Sequence, residues 1–518
     1  MGLCSSEAAA AKAQCKLPAA AANNPASSMR RLCSLAGGRS RSYADRFPSL
    51  LDPLPGLHLP PALHDEHQQQ SLPPPLPHTE VTTLPNGVRI ASQDIPGPVC
   101  CVGVTVACGS SHETPSTAGA SYMLERLAFQ ETHNRGLGEI ARSVEATGGT
   151  LGAKAGRERM FYRYSALRAS LPLAVEVLLD CVRNPAFLRS QVRSKAREKL
   201  SFLESNPELF LRESLHRVGY SGALGNPLFP TKEALARIDR GAIRNFYFEN
   251  YTADRLVLAA SGVNHQHLLE VAAPLLSDLP KGYPVHKPKS AYTGGDFRHK
   301  ADSEVTHMSM AFEVPGGWRG EKAAVVMKVM QTLMGGGASY SSGGPGKGMQ
   351  SRLYLRVMLE YDWMQAMSAF TTVYDETGLF GIYLAMPSNL VAKAVDIAIH
   401  ELTVIAIPGE VTEAELIRAK NLTISSVLQN LESRKHHTED IGRQILIDSS
   451  GKGSQHFLER IDEVTLDDIV SVAQKMLSSC PTMASWGDVD KVPTHEYVRK
   501  QIESPPSDLM RMVRSFFS

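Results

Sequence analysis

Cysteine is scarce in this chain: eight in 518 residues, at positions 4, 15, 33, 100, 101, 108, 181 and 480, with no CxxC pair among them. So few thiols exclude a disulfide-built scaffold and fit a compartment that is reducing or indifferent to thiols. An excess of either charge is also missing, since 54 Lys and Arg face 53 Asp and Glu. Without a broad basic field, nucleic acid is a poor partner. Long apolar runs are absent too, because Glu176 and Asp180, or Lys393 and Asp396, interrupt the best candidates. A bilayer-spanning helix needs ~20 apolar residues in a row, so none is expected.

The first 47 residues are poor in acid. Lys12, Lys16, Arg30, Arg31, Arg39, Arg41 and Arg46 stand against only Glu7 and Asp45, among many Ala and Ser. That composition predicts an organellar transit peptide over 1–47, with Met1 or Met29 as its start because the basic signal is denser from Met29 onward. Residues 48–78 are interrupted by proline too often for a packed element and read as an extended linker.

What remains is globular in composition, 43% hydrophobic and 21% charged. It holds enough chain for roughly two to four domains of ~100–200 residues. Asn86-Gly87 between strand-like runs predicts a hairpin. Val102, Val104 and Val106 alternate as in a strand buried on one face, and Ala120, Met123, Leu124, Leu127 and Ala128 form a helical stripe. The chain also echoes itself. AVEVLL from 174 matches AVDIAI from 394, an offset of 220 residues, and Gly262 matches Gly487 at an offset of 225. Two homologous domains of mixed sheet and helix are therefore predicted, over 79–278 and 296–518, joined by a linker over 279–295.

One stretch is dense in glycine. MGGGASYSSGGPGKGMQSR, residues 334–352, contains Gly335, Gly336, Gly337, Gly343, Gly344, Gly346 and Gly348. Phosphate binding is the first reading of such a loop, but Gly346-Lys347 is followed by Gly348 where a Walker loop needs Ser or Thr. A dinucleotide fingerprint must follow a strand, whereas this loop follows a helical run over 321–334.

A metal motif is nearly present. Tyr122, Glu125 and Arg126 sit at the spacing of the inverted zinc-protease pattern HxxEH, with its general-base glutamate kept and both histidines replaced. Arginine has no lone pair to give a cation, so one carboxylate from Glu198 or Glu204 downstream could not complete a site. His64 and His67 lie in the proline-rich stretch, and helical spacing turns His436 and His437 in different directions. No Ser/His/Asp or Cys/His signature declares itself.

Taken with TTLPNGVRIAS, the LERLAF helix, VEVLLDCVRNP, GYSGALGNPL, DETGLFGIY and NLESR, the segment GGPGKGMQSRLYLRV resembles the alpha subunits of mitochondrial processing peptidases, a pitrilysin-type family, over about residues 79–500. The resemblance implies two α/β domains, no zinc in this chain, and a beta-subunit partner that keeps the zinc and cuts. It further implies a place in the mitochondrial matrix, and a second role as a core subunit of respiratory complex III, against the matrix face of the inner membrane. By position, Gly335, Gly336, Gly337, Gly343, Gly344, Gly346, Lys347, Gly348 and Met349 are then expected to contact the presequences of imported precursors. A loop without bulky side chains suits peptides of many sequences, because it can follow each main chain closely. Departures from the family are Ala338 and Tyr340-Ser341-Ser342, where Gly and Phe-Ser-Ala are usual, and Tyr122 in place of a histidine.

Overall fold

The computed structural model describes residues 78–197, 203, 205–282, 289–339, 348–448 and 451–503. The expected leader over 1–47, and the proline-rich stretch up to residue 77, lie outside them.

The predicted hairpin is present: β1 (Glu80–Thr83) and β2 (Arg89–Gln93) pair antiparallel. The Leu84 N–H donates to the Val88 carbonyl at 2.8 Å, and Gly87 takes φ +100°, a conformation that favours glycine. From this hairpin grows a six-stranded sheet with β3 (Val99–Val106), β4 (Thr150–Ala155), β5 (Met160–Leu167) and β7 (Leu256–Ser261), in the order β1-β2-β7-β3-β5-β4. Helices Leu171–Arg183 and His265–Leu276 cover one face.

A second six-stranded sheet follows. It comprises β9 (Gly295–Lys300), β10 (Val305–Pro315), β11 (Gly336–Ala338), β12 (Ala366–Val373), β13 (Thr377–Pro387) and β14 (Thr482–Gly487), in the order β11-β12-β13-β10-β14-β9. Five strands of each sheet correspond: β2-β7-β3-β5-β4 matches β9-β14-β10-β13-β12, with the first pair parallel and the rest antiparallel in both. The weak echo in the sequence is thus a duplicated fold. Only β1 in the first sheet and β11 in the second have no counterpart. Within the stretch expected to link the halves, Ser290–Tyr292 forms β8 and pairs with β6 (Tyr220–Gly222).

The halves also trade helices. Pro207–Gly219, from the first half, lies across β9, β10 and β14 of the second sheet, where Leu211 and Leu215 pack with Ala311, Phe370 and Ala484. In return, Arg434–Ile447 lies across β2, β3 and β7 of the first sheet, burying Ile441 and Ile445 against Ala91, Val257 and Ala259. Gly442 sets the closeness of that second contact, because a Cβ there would stand 2.1 Å from Thr105 Oγ1. Burying apolar area at ~25 cal/mol per Å² is what holds such layers.

Between the sheets, two corresponding hairpin turns meet. Arg159 pairs with Asp375, the Glu158 carboxylate accepts the Asp375 N–H at 2.8 Å, and Arg157 pairs with Glu213 at 3.0 Å. Buried ion pairs add little net stability because desolvation offsets their attraction, so the energy of the joint comes from its apolar layers.

Candidate functional site

The twelve candidate residues fall in two places, one in each half. In the first, β3 leads through residues 107–119, which include the 3-10 turn Ser110–His112, into the helix Ala120–Arg126. Glu113 caps that helix, its carboxylate accepting the N–H groups of Gly119 (2.7 Å) and Ser121 (2.8 Å). Tyr122 is buried, its ring edge-on to Phe229 at 6.2 Å. Glu125 Oε2 accepts the Ala155 N–H at 2.6 Å. Burial raises the pKa of this carboxyl, an effect that the Ala155 hydrogen bond, Arg126 and Lys154 oppose. Arg126 is exposed at the end of the helix.

Zinc does not fit these donors. Tyr122 is packed as a core residue, Arg126 brings a permanent positive charge, and the one carboxylate is engaged by a backbone amide. Among the described residues, no three His, Cys, Asp or Glu side chains come together as a ligand group. Glu198 and Glu204 lie outside the described residues. His437 is buried with Nδ1 3.0 Å from Ser261 Oγ while His436 is exposed, so the pair does point apart.

The second place is the glycine-rich loop. The helix Glu321–Met334 ends at Gly335, φ +56°, and the chain turns at once into β11, which pairs with the edge of β12 through Gly336, Gly337 and Ala338. Side chains are excluded here: a Cβ on Gly335 would lie 2.3 Å from Ser351 Cβ, and one on Gly336 2.1 Å from the Met367 carbonyl oxygen. Gly343, Gly344, Gly346 and Lys347 lie outside the described residues. The returning stem begins at Gly348, φ +80°, whose missing Cβ faces open space, and continues through Met349.

Sequence reasoning did not single out what holds these stems. Ser351 contacts both, and Arg352 is buried behind it, donating to the Glu410 carbonyl at 2.9 Å and to Glu415 at 3.1 Å. Both residues stand in the flank GMQSRLYLRV, so the available signal was a pair of arginines, Arg352 and Arg356, one helical turn apart among apolar residues. Beside the returning stem, Leu333, Met349, Ala419 and Leu422 line a groove of about 470 Å³, with Arg418 and Glu415 also on its wall.

Two sheets of one topology, with a helix that has the spacing of a metal motif but residues that do not fit a metal, define a duplicated chain of two sheet-and-helix domains. The profile of the insulinase peptidases, family M16, matches residues 89–232, and that of the M16 inactive domain matches 237–423. The mitochondrial-processing peptidase subunit alpha of Solanum tuberosum is 48% identical over 442 residues, covering 84% of this chain and 88% of that protein. A probable alpha-1 subunit from Arabidopsis thaliana is 46% identical over 482 residues, covering 92% and 93%. The human alpha subunit is 32% identical over 492 residues, covering 90% and 92%. This chain therefore belongs to the M16 family, among the alpha subunits of mitochondrial-processing peptidases.

Proposed function

We propose that this chain is the noncatalytic, substrate-holding subunit of a two-chain mitochondrial processing peptidase, working in the matrix beside a beta subunit that bears zinc and cuts. The observation that carries this is the helix Ala120–Arg126, in which a core-packed Tyr122, an engaged Glu125 and a cationic Arg126 replace a working metal site. Gly335, Gly336, Gly337, Gly343, Gly344, Gly346, Lys347, Gly348 and Met349 contact presequence peptides in this reading. The loop's tight outgoing stem and open Gly348 support it, since a peptide main chain can approach bare backbone closely. A core role in respiratory complex III would require attachment without a span from the described residues, none of whose helices is long and apolar enough to cross a membrane.

Mixing tests the proposal. The purified chain should neither retain zinc nor cleave a presequence peptide, and cleavage should appear when the beta subunit is added. Deleting 335–348 should raise KM while leaving the two chains associated. Proteolysis by the lone chain, together with stoichiometric zinc, would overturn the reading.

A further inference from the structure

We infer that Ser351 is a positioning residue that fixes the two stems of the glycine-rich loop relative to each other; this rests on the reading of that loop as peptide-binding. One hydroxyl joins both stems. Ser351 Oγ accepts the N–H of Gly336 on the outgoing stem at 3.0 Å and donates to the carbonyl of Gly348 on the returning stem at 2.7 Å. The Ser351 N–H also donates to the Gly348 carbonyl, at 2.9 Å. The side chain is only 8% exposed, and Gly335 leaves it room, since any Cβ there would stand 2.3 Å from Ser351 Cβ.

This geometry is specific to a small hydroxyl. Gly336 needs an acceptor, which the serine oxygen supplies while its own proton adds a second donor to the Gly348 carbonyl beside the Ser351 N–H. A larger side chain would meet Gly335, while alanine would leave the Gly336 N–H without its acceptor and the Gly348 carbonyl with the backbone N–H of residue 351 alone. Behind Ser351, the buried Arg352 ties the same turn to Glu410 and Glu415, so the hydroxyl acts from a fixed base. Loss of the bridge would let Gly348 and Met349, which line the adjoining groove, drift from Gly336. The share of molecules with both stems in place would fall, and apparent peptide affinity falls with that share. The chemical step on the partner chain would be untouched, so the defect belongs in KM and not in kcat.

The experiment uses the full chain, wild type, Ser351→Ala or lacking 335–348, each reconstituted with the zinc-bearing beta subunit. The probe is a fluorescein-labelled amphipathic peptide with arginines on one face and leucines on the other. Ser351→Ala should raise KM and weaken peptide binding by about three- to tenfold, the worth of one or two lost hydrogen bonds, with kcat within about twofold. Its Gly336 amide should exchange faster with solvent deuterium while the unfolding midpoint stays near wild type. If the deletion raises KM and Ser351→Ala does not, the inference about Ser351 falls and the loop's role stands. If the deletion leaves KM unchanged, both fall. A kcat that drops together with the unfolding midpoint would make Ser351 a general packing residue and overturn the inference.

Discussion

Replacing Gly336 by alanine should peel the first stem of the loop from its sheet. The new Cβ would stand 2.1 Å from the Met367 carbonyl oxygen and 2.7 Å from Ser368 Cα, both backbone atoms of β12. That strand is held on its far side by β13 and cannot retreat, and φ +114° at Gly336 adds backbone strain for any L residue. The outgoing stem is held by less: the short ladder that pairs Gly337 with Met367, flanked by the Ala369 N–H to the Gly335 carbonyl (2.8 Å), the Ser339 N–H to the Gln365 carbonyl (2.7 Å) and the Gly336 N–H to Ser351 Oγ (3.0 Å). At ~1 kcal/mol net apiece, detachment costs about 3–5 kcal/mol, which caps the loss because the edge strand yields before the sheet does. Urea unfolding followed by circular dichroism should therefore show a loss of about 1–3 kcal/mol, and amide exchange should rise at 336–339 and 366–369. Gly348→Ala is the control. At φ +80° with open space around it, alanine should cost only about 1 kcal/mol and leave β11 protected. Full protection of β11 in Gly336→Ala, with stability within about 0.5 kcal/mol of wild type, would refute the reasoning.

Burial holds the His437 imidazole down to about 4 from an ordinary 6.5, so the unfolded chain takes up a proton that the folded chain resists. The contribution is complete above pH 6.5 and is lost as pH falls toward about 4, by at most about 3 kcal/mol. His437→Gln should flatten the fall in urea-unfolding stability between about pH 6.5 and 4, and an unchanged slope would count against burial as the cause. Leu215→Ala, on the helix lent to the second sheet, should lower stability by about 2–4 kcal/mol in the same assay, and less than about 1 would mean the exchanged helix is not tightly packed.

Much of this architecture is written locally. Asn86-Gly87 gives the hairpin, alternating valines give β3, and the matching stretches from 174 and 394 fall on helices that occupy corresponding places in the two halves. The exchanged helices are a different matter. Amphipathic spacing shows that Arg434–Ile447 has an apolar face, but nothing in that spacing says the face belongs to a sheet begun at Glu80. Partner choice is a tertiary decision, made here by Gly442 fitting against Thr105. At the loop, glycine density drew attention to residues 334–352, while the hydrogen bonds of Ser351 did not show, because a serine between Gln350 and Arg352 looks like any polar residue until its neighbours fold around it. What residues 122, 125 and 126 can offer a cation was readable without coordinates, since arginine's lack of a lone pair is a property of the residue.

The traded helices also set a timetable for folding. By Ser261 the ribosome has delivered every strand of the first sheet, yet the segment that covers its second face is not finished until Ile447. Until the second half follows, that face stays open to water. A chain cut between its two repeats would never acquire the cover, so the duplicated units are inseparable as folding partners although each has a sheet of its own.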